Sequence, residues 1–548
     1  MAKSKSAKNP EALAESARNI FSGIVAFFTI VILSGLPLYY QDHYFNILRA
    51  KYSFYYLTVL GMLGVCFIAA LAFCFIDRME YGGVNTKRFF HRLHPKELWK
   101  NLTVVDKALL LFFLFAIIST IQSDYLYEAF WGNEGRFSGL FLITLYVSSV
   151  FVIGKLGKIK KWYLDVFLFV GVLVCLFGIT DYFRMDLLHW KAGVKVDQAD
   201  IFTSTIGNIN TYTAYVALVM GVACGLFATE KNVWRTICYV LVIAITFIAM
   251  ITGQSDNAYL ALGALFGLLP FALFGTRQGI KRYTILVALL LSTIKCISII
   301  NIKMPDQVVG MGGIFSALSR FSGLTYIVIA LWTIVIILYI GDNVFFKGKA
   351  DRVGRWLRIG WLIVLITGVM ALVWVLYDAN LGGHAEKYGA FSQYLVFNDN
   401  WGNHRGYCWR TAWESYMKQP FMHKVFGFGP DTFGILTWEF REEALRLNGE
   451  FYESAHNEYL QYLVTMGPFA LMSYVGFLAS SCVMMIKNLT KQPWVLAPLL
   501  AVICYGVQAI VNINLPIATP IMWTLLAVGM AMCRTTACKT SQIRNTGA

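Results

Sequence analysis

The sequence predicts an all-α polytopic membrane protein of about fourteen transmembrane helices with one large extracytoplasmic helical loop. Three observations carry this. Of 548 residues, 57% are hydrophobic and only 14% charged, against roughly 25% charged in a soluble domain. The mean hydropathy is +0.59. The apolar residues gather in runs of spanning length, and lysine and arginine concentrate in alternate connections between those runs.

A run of about 17–25 apolar residues crosses the hydrocarbon core as a helix, because lipid offers the backbone no hydrogen-bond partner outside itself. The first two runs lie at residues 20–40 and 54–76. The first is too long, and too far from any small-residue cleavage site, to be a removable signal. Runs at 107–122, 137–154 and 163–181 follow, then 209–228, 237–252, 258–275 and 284–302. Residues 324–340 and 358–377 complete an N-terminal transmembrane region, 1–377, of about eleven spans. Residues 461–486, 494–511 and 519–533 form a C-terminal transmembrane region, 461–548, of about three spans and a cytoplasmic tail. The shortest runs, 237–252 and 519–533, are the weakest spans. No repeat of period 20 to 50 interrupts the series, and the basic MAKSKSAKNP at the N-terminus is the only biased tract.

Positive residues are held back on the cytoplasmic side, and this fixes the orientation. With the N-terminus inside, Lys3, Lys5, Lys8 and Arg18 lie there, as do the basic residues from Arg78 to Lys107. The same side collects KLGKIKK (155–161), RQGIKR (277–282), the cluster from Lys347 to Arg358, and Lys487, Lys491, Arg534, Lys539 and Arg544. Both termini are then cytoplasmic, as fourteen crossings require. The net charge of +15 follows from this bias, so the lipid bilayer is the expected partner and no nucleic acid is needed to explain it. Of the eleven cysteines, only Cys408 falls outside, which makes no disulfide framework. No Cys/His spacing fits zinc, so neither a metal nor a cofactor is expected.

Residues 378–460, the connection between the eleventh and twelfth spans, are too long for a passive link. In WGNHRGYCWRTAWESYMKQP (401–420), Trp401, Trp409 and Trp413 recur at helical spacing and predict a helix lying in the membrane interface with its aromatic face down. The Gly/Pro turn FGFGPDTFG (426–434) ends it. In WEFREEALRLNGEFYESAHNEY (438–459), Gly449 predicts a second short helix and then a hinge into the twelfth span.

The order of Arg405 and Trp409 in HRGYCW, then AWESYMKQPFMHKVFGFGPDTF, then SAHNEYLQYLVTMG, resembles the O-antigen ligase and polymerase superfamily of bacterial membrane glycosyltransferases. STIGNINTYTAYVAL (204–218) is similar to that family's Gly-Asn-x-Asn start of a mid-chain span, and WGNEGRFSGLF (131–141) to its early outer loop. The likeness runs over about residues 120–480, and 401–467 carries most of it. It implies a GT-C-like fold in the bacterial cytoplasmic membrane, with the active site facing outward. The implied activity moves a glycan from an undecaprenyl-diphosphate carrier to an acceptor hydroxyl on a lipid, protein or glycan, with inversion and without a metal or nucleotide sugar. Ligase and polymerase differ only in the acceptor. A transporter or flippase of lipid-linked saccharide is the alternative class, but it favours internal symmetry between halves, and none is visible.

Chemistry asks for the same parts. A departing diphosphate needs fixed positive charge, best from arginine's two-point grip, and the acceptor hydroxyl needs a base that works near neutral pH. Arg405 and His456 are the catalytic candidates. Each has a plainer alternative: His456 as a bridge from loop to headgroup, Arg405 as an interfacial side chain reaching for phosphate headgroups. Asn457 either orients His456 or caps the twelfth span. Arg410, one turn on, shares or replaces the role of Arg405. Asn208 and Asn210 cap a helix or line a polar groove. Arg136, beside Glu134, and Arg320 bind sugar or are solvated. The glycines of GFGPD read as a turn before a phosphate cradle. One departure stands out. Where the family's ligases commonly read Ser-Arg-Gly, this chain has TGQSDNAYLAL (252–262), with Asp256 in place of the arginine. Lys295, inside the ninth span, is the candidate to supply the missing charge, because an ionisable group in hydrocarbon is costly; the plainer alternatives are that it pairs with Asp256 or reaches outward to the interface.

Overall fold

The computed structural model describes residues 9–546 apart from 197, 348 and 350, with the side chains of 390 and 535–546 also outside the description. The basic tract through Lys8 therefore lies outside the described residues, as do the side chains of Lys539 and Arg544. Each expected apolar run is helical. Among the described residues eleven helices are long and apolar enough to cross a membrane, and the fourth, eighth and fourteenth runs are the shorter helices Leu140–Leu156, Asn257–Leu273 and Thr519–Arg534. The run expected at 237–252 is a full-length helix, Val233–Thr252, because Asn232 caps it upstream by accepting from the Arg235 N–H.

The sixth span, Ile209–Thr229, is the centre of the bundle, with 94% of its apolar window buried. It packs against the thirteenth, Pro493–Val511, at very short range. A Cβ on Gly221 would lie 2.6 Å from the backbone of Ala501, and one on Gly225 would lie 2.4 Å from that of Ala497. Two glycines four residues apart thus face two alanines four residues apart, and the missing side chains let the backbones meet. At the other extreme, the tenth and eleventh spans, Leu324–Phe345 and Trp356–Asn380, have 11% and 0% of their windows buried and stand at the periphery.

The third span, Val104–Ile121, packs on the twelfth, Glu458–Asn488. The twelfth breaks at Gly467, whose φ of 80° is left-handed, just before Pro468. The break frees the Thr465 carbonyl, which accepts from the N–H groups of Phe428 and Gly429 (both 2.8 Å) and from Ser119 Oγ (3.1 Å). The FGFG turn is therefore docked into the kink of a membrane helix, and its amides are spent on protein rather than on phosphate.

The two helices expected in the loop 378–460 form, at Trp401–Lys418 and Arg441–Asn448, the second ending at Gly449 with φ 74°. The first turns Arg405, Tyr407, Cys408, Thr411, Ala412 and Ser415 inward. The tryptophans do not form that face. Trp401 and Trp409 pack on each other at 5.0 Å, and Trp413 is 51% exposed. Small and hydroxylated side chains permit the close approach to the twelfth span that indoles would prevent.

Candidate functional site

The segment Ser454–Asn457 is held in an unusual shape by its own polar side chains. Asn457 caps the twelfth span, its Oδ1 accepting from the N–H groups of Tyr459 and Leu460 (both 3.0 Å). Gln461 reaches back to accept from the Ala455 N–H (3.0 Å), and Ser454 Oγ accepts from the His456 N–H (3.1 Å). These bonds hold His456 at φ 48°, in the left-handed region that a residue with a Cβ rarely adopts. The result is a histidine whose ring nitrogens have no hydrogen-bond partner among the described residues. The ring meets Tyr452 edge to face, at 6.3 Å and 82°.

Burial, and then the positive charges of Arg136 and Arg405, push the His456 pKa down to about 3. The imidazole is thus neutral at physiological pH. Arg405 is 7% exposed. Its Nε donates to the Val511 carbonyl (2.8 Å) and its Nη1 to the Gly402 carbonyl (2.6 Å), leaving Nη2 without a partner among the described residues. Burial lowers its pKa, opposed by the charge of Asp256. The acidic residue that stands where the resemblance led us to expect an arginine therefore faces the arginine that is present.

Arg136 is the other positive charge acting on His456. It comes from the connection between the third and fourth spans, and its Nε is buried without a hydrogen-bond partner among the described residues. Burial lowers its pKa, opposed by Asp431, Glu453 and Cys408. The connection is gripped by Asp431, whose Oδ2 accepts from the N–H groups of Asn133 (2.8 Å) and Ser138 (3.0 Å). Gly132 makes the grip possible. Its φ is 87°, and a Cβ there would lie 2.8 Å from Asp431 Oδ2 and 2.7 Å from the Ser138 nitrogen. Arg136, Asp431, Ser454, Asn457, Glu458 and Asn514 share one small cavity. Glu458, 1% exposed, accepts from the hydroxyls of Tyr474 (2.6 Å) and Tyr505 (3.3 Å).

The other sequence candidates sit elsewhere. Arg410 is paired with Asp399 (3.0 Å), Glu414 (3.1 Å) and Glu443 (2.8 Å), which raise its pKa and occupy its donors. Asn208 caps the sixth span. Asn210 belongs to a polar network with Ser255, Asn257 and Asn512 that ties the sixth span to the eighth and thirteenth. Lys295 is half-buried on the ninth span and makes no ion pair with any described residue, Asp256 included. Arg320 is exposed at the end of the short helix Gly313–Ser319. The structure thus gathers His456, Arg405, Arg136 and Asn457, and leaves Arg410, Asn208, Lys295 and Arg320 outside that group. Sequence reading passed over Asp431, Glu458 and Asn514. Glu458 directly follows the His-Asn pair and was legible as a carboxylate entering hydrocarbon. The other two carry no local signal.

A neutral imidazole with an open ring, beside two arginines, is arranged to take a proton next to a bound anion. No curated protein matches this chain. Residues 307–475, which include Arg405, Asp431, His456 and Asn457, match the family model described as O-antigen ligase. That family supports a ligase- or polymerase-type role in cell-surface polysaccharide biosynthesis. Residues 307–475 are thus similar to the O-antigen ligase family, within a chain whose many apolar helices make it a multi-pass membrane protein.

Proposed function

We propose that this protein transfers a glycan from an undecaprenyl-diphosphate-linked donor to an acceptor hydroxyl at the outer face of the bacterial cytoplasmic membrane, with inversion and without a metal. The observation that carries the reading is the pairing of an unbonded, neutral His456 with the charges of Arg136 and Arg405. In this mechanism the acceptor oxygen attacks the anomeric carbon from the face opposite the diphosphate. The bond from that carbon to the phosphate oxygen breaks with its electron pair staying on the diphosphate, and the acceptor's proton passes to His456. Arg405 and Arg136 hold the charge that develops on the leaving group.

With its pKa near 3, His456 is a weak base until the donor arrives. A diphosphate placed beside the two arginines offsets their charge and raises the histidine's affinity for a proton, relieving the lesser of the two causes that depress it, burial being the larger. Asn457 acts as a positioning residue by fixing the helix start that presents the ring.

The test is direct. Purified protein is incubated with a lipid-linked oligosaccharide and candidate lipid, protein and glycan acceptors, and formation of a glycosidic bond is followed. Movement of the carrier between leaflets with no bond formed would favour the transporter class and reject the reading. Which acceptor is used separates ligase from polymerase.

A further inference from the structure

The connection from the second span to the third carries two short helices, Val84–Leu93 and Pro95–Asn101, and neither has a buried residue. A ten-residue helix in water is marginal without a surface to pack on. Its start is nevertheless firmly held. The second span, Ile47–Tyr81, ends at Gly82 and Gly83, whose φ of 65° and 76° reverse the chain. Buried Asp77 accepts from the Thr86 N–H (2.8 Å), the Thr86 hydroxyl (2.9 Å) and Asn85 Nδ2 (3.0 Å). Asn85 Nδ2 also donates to the Pro10 carbonyl (2.8 Å). Beyond that anchor, every residue from Lys87 to Lys96 is exposed.

The exposed residues are sorted by face. Phe89, Phe90 and Leu93 fall on one side of Val84–Leu93, while Lys87 with His91 and Arg88 with Arg92, each pair at i and i+4, fall on the other. Pro95–Asn101 repeats the arrangement, with Leu98 and Trp99 against Lys96 and Lys100. Glu97 is the only acid between Val84 and Asn101, and it pairs with Lys100 (3.2 Å). Lys87, Arg88, Arg92 and Lys96 make no ion pair with any described residue. Between the two helices opens a cleft of about 500 Å³, lined by Phe90, His91, Leu93, His94, Lys96 and Glu97.

Depth follows from the third span, Val104–Ile121. Its 18 residues make a helix about 27 Å long, close to the thickness of the hydrocarbon core, so Val104 lies near the edge of that core. Asn101 precedes it by two intervening residues, which puts Pro95–Asn101 in the headgroup layer. Lys107 stands over the Trp99 ring at 4.6 Å and ties that helix to the span. We propose that residues 84–101 form a docking surface for the anionic headgroups of phospholipids in the leaflet they abut. The five basic side chains meet the phosphates, and the aromatic and leucine side chains enter the upper acyl layer. An acidic protein would answer the charge alone, and a neutral lipid the apolar residues alone.

The experiment uses the full chain in nanodiscs of phosphatidylcholine alone and of phosphatidylcholine mixed with phosphatidylglycerol. Amide hydrogen exchange of residues 84–101 is read, with the sixth span as internal reference. Phosphatidylglycerol should slow exchange in 84–101 at least about tenfold, and raised salt should remove the difference. Replacing Lys87, Arg88, Arg92 and Lys96 together by glutamine should abolish the difference between the two lipids. Those side chains are exposed, so the thermal midpoint in phosphatidylcholine should stay at the wild-type value. Arg88→Gln with Arg92→Gln should show a smaller difference than the wild type, and carries the test if the fourfold variant unfolds. Phe89→Ser with Phe90→Ser should speed exchange in both lipids. Equal exchange of the wild type in the two lipids, or protection by phosphatidylglycerol that survives in the glutamine variants, overturns the proposal. Equal protection by inorganic phosphate added to the phosphatidylcholine discs also overturns it, because the ligand would then be a free anion.

Discussion

Arg405 donates from Nε to the carbonyl of Val511 at 2.8 Å, joining the long loop between the eleventh and twelfth spans to the end of the thirteenth span. With Nη1 on the Gly402 carbonyl at 2.6 Å, the guanidinium is locked in place and its third nitrogen remains for a ligand. A lysine has one nitrogen and no planar fork. Arg405→Lys should therefore be nearly as damaging to transfer as Arg405→Ala, while Arg405→Ala is the less stable of the two by about 1–3 kcal/mol, because buried carbonyls lose their donors. Transfer rate and thermal unfolding measured on both variants check this. Wild-type transfer by Arg405→Lys would mean that a point charge suffices.

His456→Ala should abolish transfer and leave the protein folded, since general-base catalysis contributes about 10²- to 10⁴-fold. The backbone adds a control. At φ 48° a glycine is unstrained, so His456→Gly should match or exceed wild-type stability by about 1 kcal/mol while being equally inactive. Measurable transfer by either variant in a properly inserted protein would assign His456 to structure alone.

The pH dependence of stability has two opposing parts. The folded pKa of His456 is pushed down to about 3 from 6.5, so below 6.5 the unfolded chain binds more protons, and this contribution is lost as pH falls toward 3. Asp431 behaves in the reverse way. Burial raises its pKa to about 6 from 3.8, so the folded state binds more protons between those values. Its contribution is complete below 3.8 and is lost as pH rises through 6. His456→Gln should flatten the acid loss, and Asp431→Asn should raise the thermal midpoint at about pH 8 but not at about pH 4. Parallel pH profiles of wild type and both variants would refute these assignments.

Gly132→Ala should cost transfer at least about tenfold, because its Cβ would collide with Asp431 Oδ2 and the Ser138 nitrogen and displace the loop that carries Arg136. Arg136→Ala should show the same defect, and the double variant should be little worse than either alone. Additive losses would show that the loop has a role apart from Arg136.

Tags placed at residues 85 and 445 should report opposite faces of the membrane, since the basic connection holding the first is retained inside. Accessibility of both tags from the same side in sealed cells would overturn the outer-face reaction.

Composition, runs of apolar residues and the placement of lysine and arginine determined the helices, because in lipid the backbone has no choice but to bond within itself. Local signals of the same kind gave the break at Gly449 and the capping role of Asn457, both decided by neighbours a few residues away. The membership of the site was decided only in three dimensions. Arg136 and Arg320 look alike in sequence as loop arginines, yet Asp431 holds the loop of the first through the Asn133 and Ser138 amides while the second stands exposed at a helix end. Arg405 and Arg410 lie on one short helix, yet three carboxylates claim Arg410 while Arg405 meets two carbonyls. Lys295 is half-buried on the ninth span, whereas Arg136 and Arg405 are the charges that act on His456. Spanning a bilayer is a property of each segment, legible one segment at a time. A reaction centre depends on which loops meet, and that depends on packing such as Gly221 and Gly225 against Ala501 and Ala497, which no single stretch of sequence contains.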